Sequence, residues 1–241
     1  MLDSSAQYVS EIKIRNTTEL TNYPFDIPTI KSLDNLKFNK NVTFFIGENG
    51  TGKSTLLEAI AISLGFNPEG GTKGSLFSSK NTHSELHNYL NIIKTHNIAK
   101  DGYYLRAESF YNLASYMDEV DYLKGYGGKS LHKQSHGESF IATLVNKLQG
   151  RGIYLLDEPE AALSPSKQMA ALSAIHNLVE NDSQFIIATH SPILLAYPEA
   201  TIISFDGNKI HEIDYEESDN YVITKNFINN YKKMLKLLID N

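Results

Sequence analysis

The stretch Val42-Thr43-Phe44-Phe45-Ile46-Gly47-Glu48-Asn49-Gly50-Thr51-Gly52-Lys53-Ser54 constrains this chain more than any other. An apolar run that reads as a strand leads into the pattern G-x-x-x-x-G-K-S, and Thr55 to Ile62 continues in good helix formers. Strand, glycine loop and helix in succession make a phosphate cradle. Backbone N–H groups turn inward, and the helix N-terminus adds partial positive charge. In that setting Glu48, Asn49, Gly50, Thr51, Gly52 and Thr55 surround the phosphates. Lys53 reaches the outer ones, and the Ser54 hydroxyl is free to ligate Mg²⁺. The plain alternative is a glycine turn with a solvated lysine; the flanking strand and helix argue against it.

At 241 residues the chain is long enough for one large domain with a sizeable core, or a core with an inserted subdomain. Its net charge of −6 speaks against whole-surface attraction to nucleic acid or anionic lipid, though not against a local basic patch. The absence of cysteine excludes disulfides, zinc–thiolate sites and thiol catalysis, and fits a reducing cytoplasm. Met1-Leu2-Asp3-Ser4-Ser5 is not a secretory signal, and no apolar run approaches the ~18 residues of a membrane span. A cytoplasmic protein without direct membrane insertion is therefore expected.

Residues 8–15 alternate as a strand, and Tyr23-Pro24-Phe25-Asp26-Ile27-Pro28 is a proline-punctuated connection. From Asn67 to Gly74 glycine and proline mark an exit from the core. Residues 75–133 read as an inserted, mostly helical subdomain, with helix near 84–96 and 109–124. Glu138 to Leu148 is expected as a helix with Phe140, Ile141, Leu144, Val145 and Leu148 on one face. Ile153 to Leu156 and Phe185 to Ala188 are short apolar runs typical of central parallel strands, and a helix over Ser166 to Val179 joins them into a βαβ unit. A hairpin turns at Asp206-Gly207-Asn208, and a last amphipathic helix spans about Thr224 to Leu238.

Two further segments carry chemistry. The strand Ile153-Tyr154-Leu155-Leu156 ends in Asp157 and Glu158. Asp157 there can face Mg²⁺ opposite Ser54, and Glu158 can polarise a water for attack on a γ-phosphate. Without the upstream loop the pair would equally be acids capping the turn before Pro159. His190 follows another core strand, where a lone histidine is usually structural; beside the Asp157 strand it would emerge at the same sheet edge and act as a hydrogen-bond donor. Gln134-Ser135-His136-Gly137-Glu138-Ser139 is a polar turn opening a helix. Its serine and amides suit an anion, but taken alone it reads as an ordinary N-cap.

As a set these segments resemble the ATP-binding-cassette ATPases: Walker A at 47–54, a signature at 135–139, Walker B at 153–158, a D-loop region at 161–165 and a switch histidine at 190. Gly137 to Asp157 is 20 residues and Asp157 to His190 is 33, which fits that order. Ser135-His136-Gly137-Glu138-Ser139 departs from the transporter form LSGGQ and is closer to SMC, RecF and overcoming-lysogenization-defect relatives. Ala161-Ala162-Leu163-Ser164-Pro165 lacks the usual D-loop aspartate. The strings around Asp157-Glu158-Pro159-Glu160, Leu105-Arg106-Ala107-Glu108-Ser109-Phe110 and Thr189-His190-Ser191-Pro192 resemble small bacterial stand-alone AAA-family ATPases. Lys53 to Ser135 is only 82 residues without a long heptad run, so an SMC-type coiled-coil arm has no room there.

The resemblance implies an α/β P-loop NTPase fold: a mostly parallel core sheet flanked by helices, N-terminal antiparallel strands, and an inserted helical signature subdomain. It implies one domain over 1–241, with the core at 1–66 and 150–215, the insert at 67–149 and a C-terminal helix at 216–241. It implies ATP and Mg²⁺ as cofactors. Lys53, Glu158 and His190 would be catalytic; Ser54, Asp157 and Glu108 would be metal ligands, Glu108 standing where the family has glutamine. Ser135, Gly137 and Glu138 would complete ATP bound to a second copy, so that a head-to-tail homodimer closes on ATP. Tyr23 or Phe25 is placed to stack on the adenine, although core packing is the commoner fate of such residues. An ATPase is the leading expectation. A regulatory ATP switch acting in DNA repair or phage defence, with nucleic acid or an effector protein as partner, comes second, and a transporter energy subunit third. No guanine-reading N-K-x-D follows the loop, which disfavours a GTPase.

Overall fold

The computed structural model of the protein describes residues 7–15, 20–73, 83–106 and 136–239. Apolar runs become central strands where both their faces are covered. β3 (Val42–Ile46), β6 (Gly152–Asp157) and β7 (Gln184–Ala188) are buried at every position. Together with β5 (Asp101–Arg106), β8 (Thr201–Ser204) and β9 (His211–Ile213) they form a six-stranded sheet of order β5-β6-β7-β3-β8-β9. The first five strands in that order run parallel, and β9 returns antiparallel as the hairpin partner of β8.

Alternation along the strands feeds two separate cores. Phe44, Ile46, Tyr154 and Leu156 point to one face, where α4 (Pro165–Glu180) contributes Ala171, Ile175 and Leu178. Phe45, Leu155 and Ile186 point to the other, whose core also holds Ile30 of α1 (Pro28–Lys31) and Leu57 and Ile60 of α2 (Lys53–Ser63). The β6-α4-β7 unit is the expected parallel crossover, with Pro165 opening α4 where its missing N–H costs nothing.

Beneath the second core lies a three-stranded antiparallel sheet of order β2-β1-β4, from β1 (Val9–Ile14), β2 (Asn35–Lys37) and β4 (Leu90–Lys94). One side chain joins the two sheets. The fully buried Gln184 of β7 accepts from the N–H groups of Tyr8 and Val9, both at 2.9 Å, and donates to the Val9 carbonyl at 2.8 Å. Its amide thus takes the place of a neighbouring strand for the start of β1.

The stretch 84–96 is not helix. A 3₁₀ turn, Glu85–Tyr89, runs into β4, which pairs with β1. Residues 101–106, also expected in the helical insert, are β5 at the edge of the main sheet, where Tyr103, Tyr104 and Leu105 are consecutively buried. Covered on both sides, that strand shows no alternation that would betray it. The sheets therefore extend to Arg106, well beyond the expected core boundary at 66; the helix expected near 109–124 lies outside the described residues. In the signature region α3 (His136–Ala142) gives way to a π turn, Thr143–Lys147, closed by Leu148 N–H to the Thr143 carbonyl at 3.3 Å. The wider turn shifts the phase of the helix. Phe140, Leu144 and Leu148 stay buried while Val145, expected on that face, is exposed.

After α5 (Pro192–Leu195), capped by the Ser191 hydroxyl, the chain ends in α6 (Asp219–Ile239), which starts earlier than Thr224 and is kinked at Asn230. Among the described residues no helix is long and apolar enough to cross a membrane.

Candidate functional site

The C-terminal ends of β3, β6 and β7 lie side by side, so the loops leaving them share one edge of the sheet. The loop after β3 is held at both ends. Gly47 has φ +137°, and a Cβ there would lie 3.0 Å from Asp206 Oδ1, which accepts the Glu48 N–H at 2.8 Å. Gly52 has φ +99° and packs tightly on Ile27 and Ile30, while the Thr29 hydroxyl donates to the Thr51 carbonyl. Glu48, Asn49 and Gly50 between them face solvent.

Lys53 is 4% exposed, and its ammonium donates to the carbonyls of Gly47 at 2.6 Å and Glu48 at 2.8 Å. Burial pushes it below the ordinary lysine range, against the opposing pull of Glu158, Asp206, Asp157 and Glu48. The next residue reaches across to β6: Ser54 Oγ donates to Asp157 Oδ1 at 2.8 Å. Asp157 is buried, and its other oxygen lies 4.0 Å from Arg106 Nε, the register partner on β5. Arg106 Nη1 is bonded to Glu58 at 2.6 Å, one helical turn after Ser54.

Glu158 leaves β6 in the left-handed region at φ +50°, with its N–H on the Ala188 carbonyl at 2.9 Å. A non-glycine residue held there is a strained conformation of the kind found at functional sites. The turn brings Glu158 Oε1 to 4.0 Å from His190 Nε2, which is shielded and hydrogen-bonds to nothing among the described residues. The backbone of His190 is gripped on both sides. Its N–H donates to Glu160 Oε1 at 2.5 Å, and its carbonyl accepts from Asn220 Nδ2 at 2.9 Å. Glu160 Oε2 also accepts from the Thr189 hydroxyl at 2.6 Å. Ser191 Oγ donates to Gln168 at 2.6 Å, and Gln168 donates on to the Leu163 carbonyl at 2.9 Å, so the 161–165 segment and the histidine loop are one network.

The structure thus brings Lys53, Ser54, Asp157, Glu158 and His190 to one place, with Thr55 beside them. At the signature, Gly137 abuts its own chain: a Cβ would sit 2.5 Å from the Ala162 carbonyl. Glu138 is exposed in the first turn of α3. Ser135 and Glu108 lie outside the described residues. Of the two aromatics, Phe25 is 1% exposed and edge-on to Tyr89 in the core, whereas Tyr23 is 60% exposed with its hydroxyl 3.1 Å from Thr55 Oγ1.

Sequence reading missed Glu160, Gln168, Asp206 and Asn220. Asp206 looked like turn chemistry in the hairpin. Glu160 and Asn220 each act on residues about thirty positions away, so no local pattern marks them. A nucleotide with Mg²⁺ fits the donor set. Mg²⁺ characteristically takes one or two carboxylates and phosphate oxygens rather than an all-protein cage. Here a single Ser–Asp pair is offered, and no group of three or more His, Asp or Glu converges among the described residues.

A model of the AAA domain family matches residues 27–237. The chain belongs to the AAA domain family. A 73-residue stretch is 38% identical to the Retron Vc95 probable ATPase of Vibrio cholerae serotype O1 biovar El Tor, covering 30% of this chain but only 13% of that protein. Among solved structures, cbiO1 from Clostridium perfringens, part of the ABC transporter complex cbiONQ, aligns over 94% of this chain and 97% of its own, at 18% identity and a TM-score of 0.50. The SMC head domain from Thermotoga maritima aligns over 86% and 99%, at 15% identity and a TM-score of 0.43. This AAA domain therefore has the α/β fold of the cassette-type P-loop ATPases, and its family supports ATP binding and ATPase activity in general terms.

Proposed function

We propose that this AAA domain hydrolyses ATP to ADP and phosphate with Mg²⁺, and that two copies close head to tail on the nucleotide. The observation that carries the reading is the convergence of Lys53, the Ser54–Asp157 pair and the Glu158–His190 pair at one sheet edge. On nucleotide binding Lys53 exchanges the carbonyls of Gly47 and Glu48 for phosphate oxygens, which relieves the cost of holding its charge in a buried site. The Ser54 hydroxyl and the Asp157 carboxylate, now hydrogen-bonded to each other, are the groups that would hold the cation. Mg²⁺, when bound, neutralises charge on the β- and γ-phosphates. Glu158 orients the attacking water and takes its proton, and His190 Nε2 hydrogen-bonds to the γ-phosphate or that water. Tyr23 is the aromatic available to stack on the adenine. Glu138, exposed at the start of α3, with Ser135 and Gly137 of the same motif, would complete the site of the other copy, which then closes only in a C₂ pair.

The test is Glu158→Gln. Phosphate release should fall by at least ~100-fold, while ATP binding persists and a dimer accumulates on size-exclusion chromatography with ATP and Mg²⁺. A variant that turns over normally as a monomer refutes both the role of Glu158 and the closed pair.

A further inference from the structure

The Ser54–Asp157 pair has a cation of the chain's own beside it. Ser54 and Glu58 stand one turn apart on the same side of α2. Arg106 and Asp157 are register partners on the parallel neighbours β5 and β6, so their side chains leave the same face of the sheet. They share the parity of Tyr104 and Leu155, which enter the core that also holds Leu57 and Ile60 of α2. Helix and sheet are therefore joined twice in succession. Ser54 Oγ donates to Asp157 Oδ1 at 2.8 Å, and Arg106 Nη1 donates to Glu58 Oε2 at 2.6 Å.

Arg106 does not treat its two acidic neighbours alike. A guanidinium beside a carboxylate ordinarily closes to about 2.7–2.9 Å, often through two nitrogens. It comes at least that near to Glu58, yet its Nε stays 4.0 Å from Asp157 Oδ2, beyond hydrogen-bond reach. Glu58 is built to win this contest. Its carboxylate is buried, and its second oxygen accepts the Ser84 N–H at 3.1 Å, which fixes it in place. The outcome matters for Mg²⁺. In a buried site two charges interact far more strongly than in water, so a guanidinium closed on Asp157 would spend the negative charge that a divalent cation needs. Held on Glu58, Arg106 leaves Asp157 Oδ1 turned to Ser54.

We propose that Glu58 is a positioning residue that holds Arg106 off Asp157 and thereby sets how tightly the site takes Mg²⁺. This rests on the reading of Asp157 as a metal ligand given above.

Calorimetry of ADP binding to the full chain, once with Mg²⁺ and once with EDTA, provides the test. The ratio of the two affinities is the gain contributed by the cation. Groups that act on a metal through its ligands change metal affinity by roughly 10–100-fold. Glu58→Gln keeps the side chain's shape and an acceptor for Ser84 but not the charge. Its gain should fall at least ~10-fold, with ADP affinity in EDTA unchanged. A crystal structure of this variant should show Arg106 within hydrogen-bond distance of Asp157. The double variant Glu58→Gln/Arg106→Gln should bring the gain back to the wild-type value, and it folds without leaving one half of the ion pair buried alone. A merely structural pair predicts the opposite, because the double variant then loses at least as much as the single one. An unchanged gain in Glu58→Gln overturns the proposal, as does a double variant no better than the single. Asp157→Asn separates the proposal from the reading beneath it. If that variant keeps the full gain, Asp157 is no ligand and both fall. If it loses the gain while Glu58→Gln keeps it, the metal assignment stands and the role of Glu58 alone is refuted.

Discussion

Glu160 is where a single substitution should separate the histidine loop from the rest of the site. Its carboxylate accepts from the Thr189 hydroxyl at 2.6 Å and from the His190 N–H at 2.5 Å. Hydrogen bonds to a charged group contribute roughly 1.5–3 kcal/mol each. Glu160 is partly exposed, so the lower end applies, and Glu160→Ala should cost about 3 kcal/mol. For a chain of this size each kcal/mol moves the melting temperature by about 2–4 °C, so the midpoint should drop by about 6–12 °C. Glu160→Gln keeps one acceptor oxygen but no charge and should lose about half of that. Hydrolysis should suffer more than stability. Freed at its N–H, His190 keeps the Asn220 bond on its carbonyl but loses the carboxylate that fixes its other side, and a misplacement of about 1 Å costs on the order of 100-fold in rate. Differential scanning fluorimetry and a phosphate-release assay read both effects, with ATP affinity expected to hold because Lys53 and its loop are untouched. If both variants melt and hydrolyse as wild type does, the clamp on His190 is an incidental contact and the argument fails.

Other outcomes follow from the same geometry. Lys53→Ala should abolish tight ATP binding in calorimetry. Burial holds the folded-state value of Lys53 below the unfolded 10.5, so the unfolded chain binds more protons between the two and stability rises with pH across that alkaline window. The denaturation free-energy difference between wild type and Lys53→Met should therefore shift in favour of wild type as pH climbs towards 10.5 and level off beyond it. Gly137→Ala must displace either α3 or the 161–165 segment, because its methyl would meet the Ala162 carbonyl at 2.5 Å. Phosphate release should fall at least ~10-fold with ATP affinity unchanged. Asp206→Ala frees the Glu48 N–H and loosens the loop, raising the KM for ATP several-fold with a smaller change in kcat.

The candidate site is legible in sequence wherever chemistry and local geometry coincide. The glycine loop, the apolar strand ending at Asp157 and Glu158, and the histidine after β7 each announce themselves within a dozen residues. What was not legible depends on distant partners. Glu160 differs from any surface glutamate only because Thr189 and His190 arrive beside it. β4 looks helical in sequence because its mixed apolar pattern, half-buried against β1, carries no clear period of two. β5 hid for a different reason: consecutive buried residues in an otherwise polar region resemble neither an amphipathic helix nor an alternating strand. Between Phe25 and Tyr23 only packing could choose, since both are aromatic and equally near the loop.

The grip of Gln184 on β1 has a mechanical consequence. Prising the small sheet from the large one would strand two amide hydrogens, one carbonyl and the glutamine's own amide in a dry interior, each at roughly 1–3 kcal/mol. That penalty makes the base of the molecule a single rigid plate, to which the glycine loop is bolted through β3. Sliding or parting of the two sheets is thereby disfavoured. On the signature side, Gly137 of α3 meets the Ala162 carbonyl while Phe140 and Leu144 are sunk in the same core as β6 and β7, so that helix too is anchored by packing.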